Sequence, residues 1–556
     1  MRSQDNLLRI SSALIALLVA IPVLGVFSNF FQAGEAAELG RATWQHLSST
    51  VLPDYLRTTF YLVIMVAVGV IVGGTLSAWL VAVCEFPGRR WLEWALILPL
   101  AMPAYVSAYA YTDFLQYSGP LQSALRNAFG WTRADYWFPE VRSLPGAAAM
   151  FIFVLYPYVY LLARNAFMER SPAMLDVARS LGESTWRVLW RISLPLARPA
   201  IAAGAALALM EVLADYGTVS YFGVTTFTTG IYRSWFSLGD RQSAAQLAGV
   251  LLLFVLVMIA VEQSSRGRAR FYSVGQRVHL PQPKQLRGAQ AWLAALFCVI
   301  PIILGFVLPV LVLLRLWLLD WQAQVAEGGS FSWAYYERYV TWIGNSVQLA
   351  SVTALLAILI ALLLAYALRL RASRWQRLCN RLVSLGYAVP GAIIAVGVLI
   401  PLARLDNWLV DWVQRHFDYR MGLLLTGTVM ALVYAYLVRF SGVAYQSIEA
   451  GLQKITPAMD ASARCLGLGP WRVLQKIHIP LLWRSLLTAT LLVFVDVMKE
   501  LPATLVVRPF NYDTLAVIAH QLAADERLSE AALPALSIVL VGLLPVILLS
   551  RTISRR

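Results

Sequence analysis

Apolar runs of about twenty residues recur along this chain, each closed at both ends by a shorter polar connection. They lie near 8 to 28, 58 to 83, 92 to 114, 145 to 167, 198 to 221, 243 to 263, 291 to 319, 346 to 370, 382 to 404, 422 to 444, 485 to 507 and 532 to 550. A helix needs about 20 mostly apolar residues to cross the hydrocarbon core. The pattern therefore predicts an all-α integral membrane fold of about twelve transmembrane helices. The first run follows "MRSQDNLLR" and exceeds the roughly 7 to 15 apolar residues of a signal core, so it is read as a retained span.

Composition agrees with a chain built for lipid. Of 556 residues 59% are hydrophobic and 13% charged, with a mean hydropathy of +0.65, whereas soluble domains carry about 25% charged residues. With the N-terminus placed in the cytoplasm, the inner connections hold 28 Lys and Arg and the outer ones 12, the asymmetry that sets orientation. Both termini are then cytoplasmic. The net charge of +15 follows from this asymmetry and from attraction to the anionic inner leaflet, so it is no argument for nucleic acid. Cys84, Cys298, Cys379 and Cys465 lie far apart, with neither a disulfide framework nor zinc-type spacing.

The connections hold a repeat. "SPAMLDVARSLGESTWRVLWRISLPL" (171 to 196) and "TPAMDASARCLGLGPWRVLQKIHIPL" (456 to 481) align without a gap at an offset of 285, with 14 of 26 positions identical. About two identities would follow from composition alone, so the chain is a duplication. "MPAYVSA" from Met102 similarly resembles "VPGAIIA" from Val389. Each half holds six spans, an even number, so the halves share one orientation and are related by a pseudo-twofold axis along the membrane normal. The division predicted is 1–265 for the first half, 266–290 for a cytoplasmic linker and 291–556 for the second half.

Ser171-Pro172 and Thr456-Pro457 read as a hydroxyl N-cap followed by the helical position that tolerates a missing N–H. Gly182 and Gly467 stand about three turns on, where a left-handed residue ends a helix. A second helix carrying Trp186 or Trp471 then runs until Pro195 or Pro480. The product is a helical hairpin on the cytoplasmic surface in each half. Such a hairpin can simply brace a bundle, which explains one copy but not the same spacing in two.

That spacing resembles the "EAA" signature of binding-protein-dependent ABC transporter permeases: E-A-A, three residues, G, nine residues, I-x-L-P. Here it reads Asp176-Val177-Ala178, Gly182, Ile192-Ser193-Leu194-Pro195, and again Ala461-Ser462-Ala463, Gly467, Ile477-His478-Ile479-Pro480. The acidic first position survives as Asp176, while the second copy has Ala461 with Asp460 one place earlier. The resemblance implies a fused permease in the cell inner membrane, whose coupling residues are Asp176, Ala178, Gly182, Ile192, Pro195, Ala463, Gly467, Ile477 and Pro480. It further implies two copies of a cytoplasmic ABC ATPase that bind ATP and Mg, a periplasmic substrate-binding protein, and no cofactor or enzymatic activity in this chain. In accord with this, the sequence has no G-x-x-x-x-G-K-[ST] phosphate loop.

Four acids lie inside spans: Glu211 and Asp215 in the fifth, and Asp496 and Glu500 at the same offset in the eleventh. Each pair is spaced i, i+4 and shares a helix face. A charge at such depth costs a few kcal/mol unless paired or facing water. Two readings stand side by side. The acids line a translocation path for a cation, or they cap broken helix ends and pair with Lys499 and nearby arginines. "LADYGTVSYFG" (213 to 223) and "MKELPATLVVRPF" (498 to 510) resemble the ferric-iron branch of these permeases, with a thiamine branch close by. Ferric iron or thiamine agrees in sign with the acids; sulfate or phosphate does not.

His46, His279, His416, His478 and His520 show no ligand spacing and are read as ordinary surface or interface residues, with no metal site. Trp131, Trp137, Trp333 and Trp342 read as interfacial anchors. Two other classes are weighed. An ion-coupled 6+6 carrier would use the acids as proton sites but leaves the hairpins unexplained. A membrane enzyme would need convergent acids that Asp135, Glu140, Asp411 and Asp418 do not supply.

Overall fold

The apolar runs are helical in the computed structural model, which describes residues 2–28, 35–168, 185–266, 284–326, 333–370, 372–419 and 422–554. Among the described residues ten helices are long and apolar enough to cross a membrane, or eleven if one bent pair is a single span. The expected twelve are not reached, and the differences have causes in the sequence. The run at 422 to 444 becomes helix Val429–Leu452, whose Tyr434, Tyr436 and Arg439 lower its hydropathy. The run at 92 to 114 is broken into Arg89–Ala101 and Ala104–Phe129, bent by 93°.

That break lies at Met102-Pro103, where Met102 is extended (φ −93°, ψ 116°), the conformation a following proline imposes. The second half repeats it: Val389 is extended (φ −81°, ψ 121°) ahead of Pro390, and helix Gly391–Phe417 follows. Broken backbone at this depth must find partners inside the protein. Tyr156 donates to the Leu96 carbonyl at 2.8 Å and Tyr160 to that of Glu93 at 2.7 Å.

The chain packs into two compact units that do not follow its linear halves. The first comprises 1–52, 230–252 and 323–521, the second 53–229, 253–322 and 522–556. Within the first unit, helix Arg2–Ser28 lies on Arg374–Leu385 and Gly391–Phe417, far downstream in sequence. Small residues permit the approach: a Cβ on Gly397 would come 2.2 Å from the Pro22 carbonyl oxygen, the close backbone contact typical of membrane helices. Helices Trp333–Leu370, Val429–Leu452 and Ile479–Lys499 pack on one another beside it.

Within the second unit, the seventh apolar run (Ala289–Ile302, a π-turn at Ile303–Val307, then Leu308–Ala326) lies against Leu144–Met168. A Cβ on Gly305 would fall 2.3 Å from the Phe153 carbonyl oxygen. Helix Leu194–Ala214 crosses Leu144–Met168 at Gly204, where a Cβ would lie 2.7 Å from Val159 Cα. Two-residue strands Cys84–Glu85 and Lys284–Gln285 pair in parallel, holding the end of the 266–290 connection to this unit.

Candidate functional site

The second polar repeat forms a hairpin. Helix Pro457–Cys465 starts after extended Thr456, with Pro457 in its first turn. Thr456 makes no side-chain cap, so proline and the backbone set this start. Gly467 is left-handed (φ 76°). Its N–H donates to the Arg464 carbonyl at 3.0 Å and that of Leu468 to Ala463 at 3.1 Å, the pair of bonds that closes a helix on a left-handed glycine. Ala463 is buried, while Met459, Leu466 and Trp471 are 47%, 81% and 63% exposed, an apolar surface with a small residue behind it.

Beyond the turn the chain was expected to stop at the prolines, and it does not. Pro470–Val473 runs through a π-turn, Leu474–His478, into Ile479–Lys499, and Thr185–Val188 runs through Leu189–Ser193 into Leu194–Ala214. Pro480 and Pro195 lack an N–H and crowd the carbonyl four residues back. The wider turn absorbs that misfit: the N–H of Ile479 reaches back to Leu474 and that of Leu194 to Leu189. The second limb of the described hairpin, and the matching segment from Thr185 in the first copy, are therefore continuous with a span.

Asp176, Ala178 and Gly182 lie outside the described residues. Ile192 is half-buried and packs on Val188, Ile477 is half-buried, and Pro195 and Pro480 are exposed. The second hairpin is fastened by residues that the sequence did not single out in this role. Asp460 accepts from Arg369 Nε at 2.8 Å and from His478 Nε2 at 2.7 Å. Arg369 also donates to the carbonyls of Leu452 (2.6 Å) and Ile455 (2.9 Å), and Tyr366 to that of Pro470 at 2.5 Å. Burial pushes the Asp460 carboxyl up, but the Arg369 and His478 hydrogen bonds and charges outweigh it and hold the carboxyl below its usual range. His478, expected at a surface or interface, is 1% exposed. At the 285 offset the first copy has Leu175 and Ser193 in place of Asp460 and His478.

The intramembrane acids divide by position. Helix Leu194–Ala214 ends just before Asp215, and a short helix, Gly217–Tyr221, restarts. Asp215 accepts from the amides of Thr218 (2.9 Å) and Val219 (3.3 Å) and from Thr218 Oγ1 (3.0 Å). Glu500 stands identically between Ile479–Lys499 and Pro502–Val507, accepting from the amides of Ala503 (2.9 Å) and Thr504 (3.0 Å) and from Thr504 Oγ1 (2.7 Å). In each half this carboxylate satisfies the leading N–H groups of a restarted helix, which would otherwise be orphaned. Glu211 and Asp496, one turn earlier, are half-buried, and Asp496 lies 3.8 Å from Lys499.

Glu500 also forms an ion pair with Arg439 at 2.9 Å, the two side chains 2% and 8% exposed. Gly391 makes room for it, since a Cβ there would lie 2.7 Å from both Arg439 Nη1 and Glu500 Oε1. In the first half the corresponding positions are Ala104 and Val154. Glycine, arginine and longer acid therefore occur together in one half, and alanine, valine and shorter acid in the other. Arg439 was detectable as a lone charge in an apolar run. Among the described residues no group of three or more His, Cys, Asp or Glu is placed to hold a metal ion.

Comparison with known proteins finds the model of a family described as "Binding-protein-dependent transport system inner membrane component" matching residues 74–263 and 355–556. The chain is 25% identical over 539 residues to the Fe(3+)-transport system permease protein FbpB 2 of Haemophilus influenzae, covering 97% of each. It is 30% identical to the molybdenum transport system permease protein ModB of Escherichia coli over 34% of this chain and 82% of that one. Among solved structures, a chain of a bacterial alginate ABC transporter complex matches 48% of this chain and 95% of its own at 17% identity and a TM-score of 0.34.

Proposed function

The chain belongs to the family of binding-protein-dependent transport system inner membrane components, and from that premise we propose that it moves ferric iron inward as the fused permease of an ATP-driven importer. It is a multi-pass helical membrane protein and a transport subunit. In the proposed scheme a periplasmic binding protein delivers the cargo. Two copies of a cytoplasmic ATPase hold ATP and Mg, one beneath each hairpin, both termini face the cytoplasm, and the 266–290 segment links the two repeat halves. Asp176, Ala178, Gly182, Ile192 and Pro195 in one copy, with Ala463, Gly467, Ile477 and Pro480 in the other, meet those ATPases.

The observation that carries the reading is the described hairpin: apolar side chains exposed on one side, and on the other a limb continuous with a span, so a push on the first is a push on the second. The chain itself has no phosphate loop, so the energy comes from another polypeptide. Iron is supported by the Haemophilus influenzae relative, which matches nearly end to end, and by the acids at the broken spans. Glu211, Asp215, Asp496 and Glu500 border the path in this scheme, with Asp215 and Glu500 shaping it through the helix breaks they cap.

The test is uptake of radiolabelled ferric iron into proteoliposomes holding this chain with its ATPase and binding protein. ATP-dependent iron uptake that Gly467→Asp abolishes, while insertion is retained, is expected. Thiamine uptake in place of iron would change the cargo. Uptake under a proton gradient without the ATPase would overturn the scheme in favour of an ion-coupled carrier.

A further inference from the structure

In the unit that carries the described hairpin, the opposite end of the helices holds a cavity of about 550 Å³, within the roughly 300–1,000 Å³ of small-ligand sites. Its place follows from helix Val429–Leu452. The Leu452 carbonyl, at the hairpin end, accepts from Arg369. Just ahead of the other end, the amides of Leu424, Leu425 and Thr426 donate to Asp406. Twenty-four residues separate the two ends, about 36 Å at 1.5 Å per residue.

The cavity is lined by Arg241, Gln242, Arg404, Asn407, Thr426 and Trp235, together with an aliphatic wall. Two arginines therefore line it, and among the described residues that line it none is Asp or Glu. The acid next to Arg241 is Asp240, which accepts from the amides of Gln242 and Ser243, both at 3.0 Å, and from the Ser243 hydroxyl. The acid two residues after Arg404 is Asp406, which is 0% exposed and accepts from three amides and Thr426 Oγ1 (2.6 Å). Both acids accept from backbone amides, and among the described residues neither forms an ion pair with Arg241 or Arg404. Arg241 lies 5.9 Å over the Trp235 ring, which steadies one wall. It also opens helix Arg241–Arg266.

We propose that this cavity is a binding site for a small oxyanion, a carboxylate or a phosphate, held between Arg241 and Arg404. The guanidinium fork matches either group in two-point contact, and the Asn407 side-chain amide in the lining supplies a further donor. The oxyanion is free in solution or is the phosphate of a phospholipid headgroup. The inference stands on this unit alone and does not depend on the import reading.

The test uses the full chain in nanodiscs of phosphatidylcholine, with inorganic phosphate and citrate as probes in calorimetric titration. Binding of either probe at one site per chain, weakened as ionic strength rises and at least tenfold weaker in Arg241→Gln and Arg404→Gln, is expected. If the probe binds only weakly in phosphatidylcholine but nanodiscs with phosphatidylglycerol retain that lipid in an Arg404-dependent way, the site stands and its occupant is a headgroup. Arg404→Lys keeps the charge and serves as the folding control. Binding that is the same in wild type and both glutamine variants, or no binding of phosphate, citrate or phosphatidylglycerol, overturns the proposal.

Discussion

Replacing Asp460 with Asn keeps the shape of the hairpin lock and removes its charge. Two bonds, from Arg369 at 2.8 Å and His478 at 2.7 Å, lose the carboxylate charge on their acceptor. A hydrogen bond to a charged group contributes about 1.5–3 kcal/mol. Since Asp460 and Arg369 side chains are 14% and 15% exposed, the lower half of that range applies, giving about 2 kcal/mol for the pair of losses. At 1.4 kcal/mol per decade that is about a 30-fold rise in hairpin opening. Arg369→Ala removes three bonds and uncovers the Leu452 and Ile455 carbonyls, so its effect should reach about 3 kcal/mol. Hydrogen exchange read by mass spectrometry over 456–473, with helix Gly391–Phe417 as internal control, measures both. The sign with pH follows from the lowered Asp460 carboxyl. Its contribution is complete above the ordinary value of about 3.9 and is lost as pH falls through the lower folded value. Wild-type protection owed to Asp460 should therefore hold from pH 7 to 5 and fall only in stronger acid, and Asp460→Asn should lack that acid response. Unchanged exchange over 456–473 in both variants would refute the reasoning.

Glu500→Ala strands Arg439 in a buried site and should destabilise the protein by about 3–5 kcal/mol, whereas Asp215→Ala removes a helix cap and should cost about 1–2 kcal/mol; thermal unfolding in detergent reads the difference, and equal shifts would contradict the asymmetry. Gly391→Ala drives a Cβ onto that ion pair and should cost about 2 kcal/mol, while Ala104→Gly should cost under about 1 kcal/mol, by the same assay. Gly467→Ala meets open space, so only its left-handed backbone penalty of about 1–2 kcal/mol remains; it should raise exchange at Leu466 to Leu468, and Gly467→Asn should raise it less.

Helical runs, duplication and the hairpin turn were legible because each rests on local chemistry: apolar length, a proline in the first turn, a glycine three turns later. The π-turns were not, because the misfit of Pro195 or Pro480 can be relieved either by stopping the helix or by widening it. Packing of the following span decides between the two. Asp460 looked like a displaced signature acid, and its partner Arg369 lies 91 residues upstream, a distance that periodicity does not bridge. The same holds for Arg439 and Glu500, 61 residues apart. The break acids were legible as alternatives, cap or path, and their amide contacts describe what two of the four do locally.

The position of helix Arg2–Ser28 has a consequence for biosynthesis. Pro22 meets Gly397, so this helix settles against a segment made about 375 residues later, roughly 20–75 s at 5–20 residues per second. Until its packing partners are made, its own backbone hydrogen bonding satisfies it in lipid. A nascent chain arrested before residue 333 would therefore hold this helix without the segments it lies on.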